Sequence, residues 1–218
     1  MKKFASFFAV FLFITLFAVA SEAGDRNIPV EVAQLTDSLK KQFAPDRRVA
    51  LLDVDYSFSD KNVMLRGVTT SAEAKNALLK ELARKGYAVM DCLELLPDVK
   101  GLEGKTCGII NVSVANMRVA PDFSSEMMTQ SLMGMPVRVL QRDGWVRIQT
   151  PDNYIAWVHR VGVHPVTEEE MAAWNKAEKI VVTAHYGFVY SEPNQTSQTV
   201  SDVVAGNRLK GARELSTR

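Results

Sequence analysis

Two cysteines, Cys92 and Cys107, and three histidines, His159, His164 and His185, are the residues of this chain that could carry nucleophilic chemistry. A cysteine hydrolase needs a thiolate within hydrogen-bond reach of an imidazole that serves as its base. Cys92 lies in a strand-like run with apolar neighbours and no helix N-terminus to lower its pKa, and Cys107 ends a polar connection. His159 and His164 flank a strand-like run, where surface side chains are expected. No catalytic residue is therefore expected here. The thiols form no CxxC pair and have no histidine cluster beside them, so neither a metal site nor a cofactor is expected. In an exported protein the two cysteines, 15 residues apart, could close a loop worth ~3 kcal/mol. As two small buried hydrophobes they would serve equally well. Met127, Met128, Met133 and Met135 invite a soft-metal reading, but strand and turn spacing predicts core filling.

Charge narrows the partners. The 218 residues carry 26 Lys and Arg against 25 Asp and Glu, a formal net charge of +1. Basic residues occur only in short runs such as Lys2-Lys3, Lys40-Lys41 and Arg47-Arg48. A phosphate-tracking surface needs clustered cations, so nucleic acid is not an expected partner. Lys2 and Lys3 precede an uncharged apolar run from Phe4 to Val19, followed by small-x-small sites at Ala18-Val19-Ala20 and Ser21-Glu22-Ala23. The run is short for a membrane span, which needs roughly 20 residues. Residues 1–23 are read as a cleaved secretory signal, so an exported, periplasmic or envelope protein is expected.

The elements that must position any site follow in order. Asn27 to Phe43 has helical apolar spacing, with Pro29 suited to its first turn. Two strands, Val49–Phe58 and Val63–Val68, flank a turn at Ser59-Asp60-Lys61-Asn62. A helix opens at Thr70-Ser71-Ala72-Glu73 and ends at Gly86, and Tyr87–Leu96 reads as a strand. The order is helix, strand, strand, helix, strand, which would lay helices on one face of a small sheet. Leu102 to Thr106 reads as a short polar connection.

Residues 108–166 then hold four short β-prone runs: Val112–Pro121, Gly134–Leu140, Gly144–Ile148 and Tyr154–Val158. Thr167-Glu168-Glu169-Glu170 is a capping box that opens a linker helix over 167–179. The pattern then restarts: Phe188–Pro193 parallels Asn116–Pro121, and Ser197–Gly206 parallels Ser125–Gly134. No second Gly-Trp strand appears before residue 218, so 180–218 reads as an incomplete copy with an open edge.

Asn116-Met117-Arg118 with Pro121, Gly134-Met135-Pro136-Val137-Arg138-Val139-Leu140, Gly144-Trp145 and Trp157-Val158 together resemble a bacterial SH3-type (SH3b) barrel. Pro and Gly make the tight corners of such a barrel, and large aromatics fill its narrow core. Asn116 is expected to cap a local turn and Arg118 to lay its stem over Trp145. The hairpin ending in Leu65-Arg66-Gly67-Val68 and the helix after it resemble the BON pattern of exported bacterial proteins. The expected fold is α+β: a BON-like domain over 26–105, an SH3b barrel over 108–166, the linker helix, and a partial second SH3b over 180–218.

Two SH3b modules joined by a helix containing Ala172-Ala173-Trp174 resemble the N-terminal half of Bacteroides-type NlpC/P60 cell-wall cysteine peptidases. Those enzymes cleave the γ-D-glutamyl-diamino-acid bond of peptidoglycan stem peptides, using an Asp-Cys-Ser-Gly-like motif that these residues lack. The resemblance implies a non-catalytic targeting and substrate-positioning region, with stem peptides as ligand and a separate or missing NlpC/P60 module as partner. The alternative is a stand-alone envelope binder, with a membrane surface as a further partner through the BON-like module. In the family an acid before the first-loop proline and a tyrosine near the last hairpin hold the peptide's free amine. Tyr154 matches the tyrosine. The acid position falls on Ala120, leaving Asp122 and Glu126 as the nearby carboxylates.

Overall fold

The computed structural model describes residues 29–211, and the expected signal segment lies outside the described residues. They form two compact units divided after Leu95.

The first unit has the expected element order: α1 (Val30–Phe43), β1 (Leu52–Ser59), β2 (Asn62–Thr69), α2 (Ala72–Arg84) and β3 (Ala88–Leu95). The sheet order is β1-β2-β3, antiparallel between β1 and β2 and parallel between β2 and β3. A parallel return needs a crossover, and α2 is that crossover. Val32 and Leu39 of α1 and Leu78 and Leu82 of α2 bury their stripes with Leu52, Val63, Leu65 and Leu93 of the sheet. Ser71 caps α2 by accepting from the Ala74 amide at 3.0 Å. The turn between β1 and β2 bends at Asp60, whose φ is 53°. Gly67 has φ 119°, and a Cβ there would lie 2.2 Å from the Asp53 carbonyl oxygen. Only glycine lets these two strands approach so closely.

The second unit begins earlier than the polar connection suggested. The Asp98 amide donates to the Leu140 carbonyl at 2.9 Å, and Leu102 is 6% exposed within the second core. Leu96 and Leu102 therefore anchor residues 96–106 to the second unit. β4 (Cys107–Ile110), β5 (Val114–Arg118), β6 (Met127–Leu132), β7 (Pro136–Asp143), β8 (Trp145–Gln149), β9 (Ile155–His159) and β10 (Val163–Val166) make one seven-stranded sheet. Its order is β10-β4-β7-β8-β9-β5-β6. One cluster takes Ile110, Met117, Val139, Ile148, Val158 and Val163 from six of these strands, so the sheet wraps around its own core.

α3 (Glu168–Lys176) follows with the expected capping box, Thr167 and Glu170 bonding reciprocally. Two ribbons follow: β11 (Lys179–Val181) with β14 (Arg208–Lys210), and β12 (Tyr186–Tyr190) with β13 (Thr199–Val204). They repeat β4 with β7 and β5 with β6 bond for bond at a constant offset of 72 positions, as between Gly134 and Gly206. Gly134 donates to Ile110 at 2.8 Å, and Gly206 donates to Val182 at 2.8 Å. Asp122 caps the Ser124 amide as Asn194 caps that of Thr196.

Candidate functional site

Three structures around the barrel hold the residues singled out from sequence: the β5–β6 loop, the outer face of β8 and β9, and a cleft on the outer face of β4 and β7.

In the β5–β6 loop, the Asp122 carboxylate accepts from the Ser124 amide and hydroxyl, each at 2.7 Å. Those bonds hold its titration below the usual carboxylate range. Ser125 closes the loop, its hydroxyl accepting from the Ala120 amide at 2.9 Å. Glu126 is exposed, and its backbone carbonyl accepts from the Val119 amide at 3.0 Å. This loop presents Phe123, 66% exposed, to the sheet.

Phe123 packs at a tilt against Trp145 and His159 with ring centroids 4.9 and 5.0 Å away, and those two rings meet edge to face at 5.3 Å. Trp145 and His159 are cross-strand partners on β8 and β9. The next pair on the same face, Arg147 and Trp157, stacks a guanidinium on an indole at 5.2 Å. Arg118 does not cover Trp145 as expected: it bonds the Ser125 carbonyl at 2.6 Å. Asn116 caps no turn; it accepts across the β5–β6 pair from Gln130 at 2.8 Å. The register sets Arg118 opposite Trp157 on β9 and leaves Trp145 opposite His159. Phe123 and His159 were not read as a pair from sequence. The signal available was an aromatic residue inside an otherwise polar loop.

Tyr154 sits at the other end of the β8–β9 hairpin. Its amide donates to the buried Thr150 hydroxyl at 3.1 Å, and its carbonyl accepts from the Thr150 amide at 3.0 Å. Asn153 takes a φ of 69° to make the turn. Five residues of strand separate Tyr154 from His159, ~16 Å at 3.3 Å per residue. The structure thus groups Asp122 with Phe123 and the Trp145–His159 pair, and places Tyr154 away from them.

Beside Tyr154's turn opens a cleft of about 780 Å³. Its floor is one cross-strand row: Cys107 opposite Arg138, and Arg138 opposite Gln149. Its walls are residues 97–106, the turn with Asn153, and α3 with Glu168 and Asn175. The Cys107 thiol is pushed up by burial and next by the Glu168 carboxylate, the opposite of an activated nucleophile. Both cysteines are free thiols, Cys92 exposed and Cys107 half-buried. Of the four methionines, Met133 is buried, Met128 and Met135 pack against the core, and Met127 is exposed. Among the described residues no His, Cys, Asp and Glu cluster could hold a metal ion.

Residues 117–161 match the bacterial dipeptidyl-peptidase SH3 domain. The matched span runs from the end of β5 to the turn after β9, so it contains both the aromatic face and Tyr154. No curated protein matches the chain. Among solved structures, an NlpC/P60 endopeptidase from Photobacterium damselae subsp. piscicida is 14% identical over 54% of this chain, with a TM-score of 0.42. An NlpC/P60 family protein from Bacillus cereus ATCC 10987 is 20% identical over 50%, with a TM-score of 0.41. NlpC2 from Trichomonas vaginalis is 14% identical over 47%, with a TM-score of 0.25. The matches span 29%, 48% and 36% of those chains respectively.

Proposed function

We propose that this chain is the substrate-positioning region of a cell-wall peptide hydrolase system. Its SH3-type barrel binds peptidoglycan stem peptides for an NlpC/P60-type γ-D-glutamyl-diamino-acid endopeptidase and performs no hydrolysis itself. The observation that carries this reading is the match of residues 117–161 to a bacterial dipeptidyl-peptidase SH3 domain. The first unit, with its helix–strand–strand–helix–strand order, would be a BON-like module that keeps the exported protein at the envelope. Sedimentation with purified peptidoglycan tests the reading. The chain should co-sediment, and Tyr154→Ala should be retained less if Tyr154 contributes to the binding surface. Failure of the unaltered chain to sediment with peptidoglycan would end the proposal.

A further inference from the structure

The cleft over Cys107, Arg138 and Gln149 has a composition that the barrel's packing does not use. Its volume of about 780 Å³ lies in the range of small-molecule sites, roughly 300–1,000 Å³. Such sites are mostly apolar, with a few polar groups that fix orientation. Here Pro97, Val99 and Met171 supply apolar wall, and the polar groups converge from three different elements. Arg138 on the floor and Glu168 in the first turn of α3 both line the cleft and are both exposed. Cys107 lines the same cleft, directly across the strand pair from Arg138, and its thiol is raised by Glu168 and lowered by Arg138. Neither the Arg138 nor the Glu168 side chain has a hydrogen-bond or ion-pair partner among the described residues. Asn153 and Asn175 add amides on two walls.

We propose that this cleft is a binding site for a short zwitterionic peptide, Arg138 taking a carboxylate, Glu168 the ammonium, and the wall amides the peptide groups between them. A guanidinium presents a planar fork that matches a carboxylate. A single carboxylate on the α3 wall gives the complementary end, and opposite charges on floor and wall select a ligand's direction as well as its class. The inference rests on the wall-peptide reading for the identity of the peptide, but the zwitterion preference comes from the cleft alone.

Cys107 gives the site a built-in reporter. In a Cys92→Ser chain, Cys107 is the remaining thiol, and its alkylation by iodoacetamide reads occupancy of the floor. The probe is L-alanyl-γ-D-glutamyl-alanine, with its N-acetylated and fully amidated forms as controls. The free peptide should slow alkylation saturably. Acetylation, amidation, Arg138→Gln or Glu168→Gln should each raise the concentration needed at least tenfold. Each variant is compared with and without peptide, because the substitutions also change the thiol's own reactivity. No protection, or equal protection by the three peptides or in the two variants, overturns the proposal. Sedimentation with peptidoglycan separates the two readings. Undiminished binding by the Arg138→Gln, Glu168→Gln double variant removes the cleft and leaves the wall-binding function standing. Peptide protection without wall binding keeps the cleft and removes that function.

Discussion

At the residue scale, one substitution between the two copies makes a pH prediction. Asp122 and Asn194 hold equivalent loops through the same contact to the residue two positions on. Only Asp122 titrates. Its carboxyl is held below its ordinary value of 3.8, first by the Ser124 amide and then by the Ser124 hydroxyl. A depressed carboxylate stabilises the fold fully above its ordinary value and loses that contribution as pH falls through the lowered one. The β5–β6 loop should therefore loosen in acid while the loop around Asn194 does not. Amide exchange at Ser124 and Thr196, followed from pH 5 downwards at about half-unit steps, checks this; parallel behaviour of the two amides would refute it. Gly67 supports a second prediction. Gly67→Ala places a methyl group 2.2 Å from the Asp53 carbonyl at a φ of 119°. Strain of this kind costs of order 1–3 kcal/mol, and the collision adds to it. Chemical denaturation should show the loss in the first unit.

At the scale of elements, much was legible because it rests on local chemistry. The helix–strand–strand–helix–strand order follows from apolar spacing and turn residues, and Ser71, Gly86 and Thr167 mark helix ends where sequence puts them. What failed depends on tertiary register. Leu102 looks like a connector until its side chain is seen in the core. Arg118 and Trp145 are 27 positions apart in sequence, and which strand pair brings which side chains together cannot be read from spacing. Tyr154 and Asp122 both border the β8–β9 hairpin, yet at opposite ends. The Cys107–Arg138–Gln149 row was illegible for the same reason: three strands supply one residue each. The capping box of α3 makes a testable element. Thr167→Ala removes the acceptor of the Glu170 amide and should cost about 1 kcal/mol, read as a lower melting temperature. Because Glu168 sits in the same turn, peptide protection of Cys107 should weaken alongside.

At the scale of the whole molecule, the described ribbons of the second copy borrow their order from the first. Asn207 is 0% exposed; it donates to the Ser113 carbonyl at 2.9 Å and accepts from the Val204 amide at 3.0 Å. Asp202 accepts from the Ser113 hydroxyl at 2.6 Å, and the Arg208 amide donates to the Met133 carbonyl at 2.9 Å. These bonds seat the ribbons on the barrel where their own apolar surface cannot. Ile180 is 57% exposed and Val200 65% exposed, whereas their counterparts 72 positions earlier, Gly108 and Met128, face a filled core. The two copies should therefore respond differently to the same kind of change. Ile110→Ala, at a fully buried position, should cost about 3 kcal/mol through its cavity and destabilise the barrel. Val182→Ala at the equivalent, half-buried position should cost well under half of that. Asn207→Ala should instead release the ribbons: the Ser113 carbonyl keeps its bond from the Met133 amide, but the Val204 amide loses its side-chain acceptor, at about 1–3 kcal/mol, and the tie from Asn207 to Ser113 is gone. Amide exchange in β12 and β13 should then accelerate while β8 and β9 stay protected. Equal acceleration in all four strands would mean that the ribbons and the barrel form one cooperative unit.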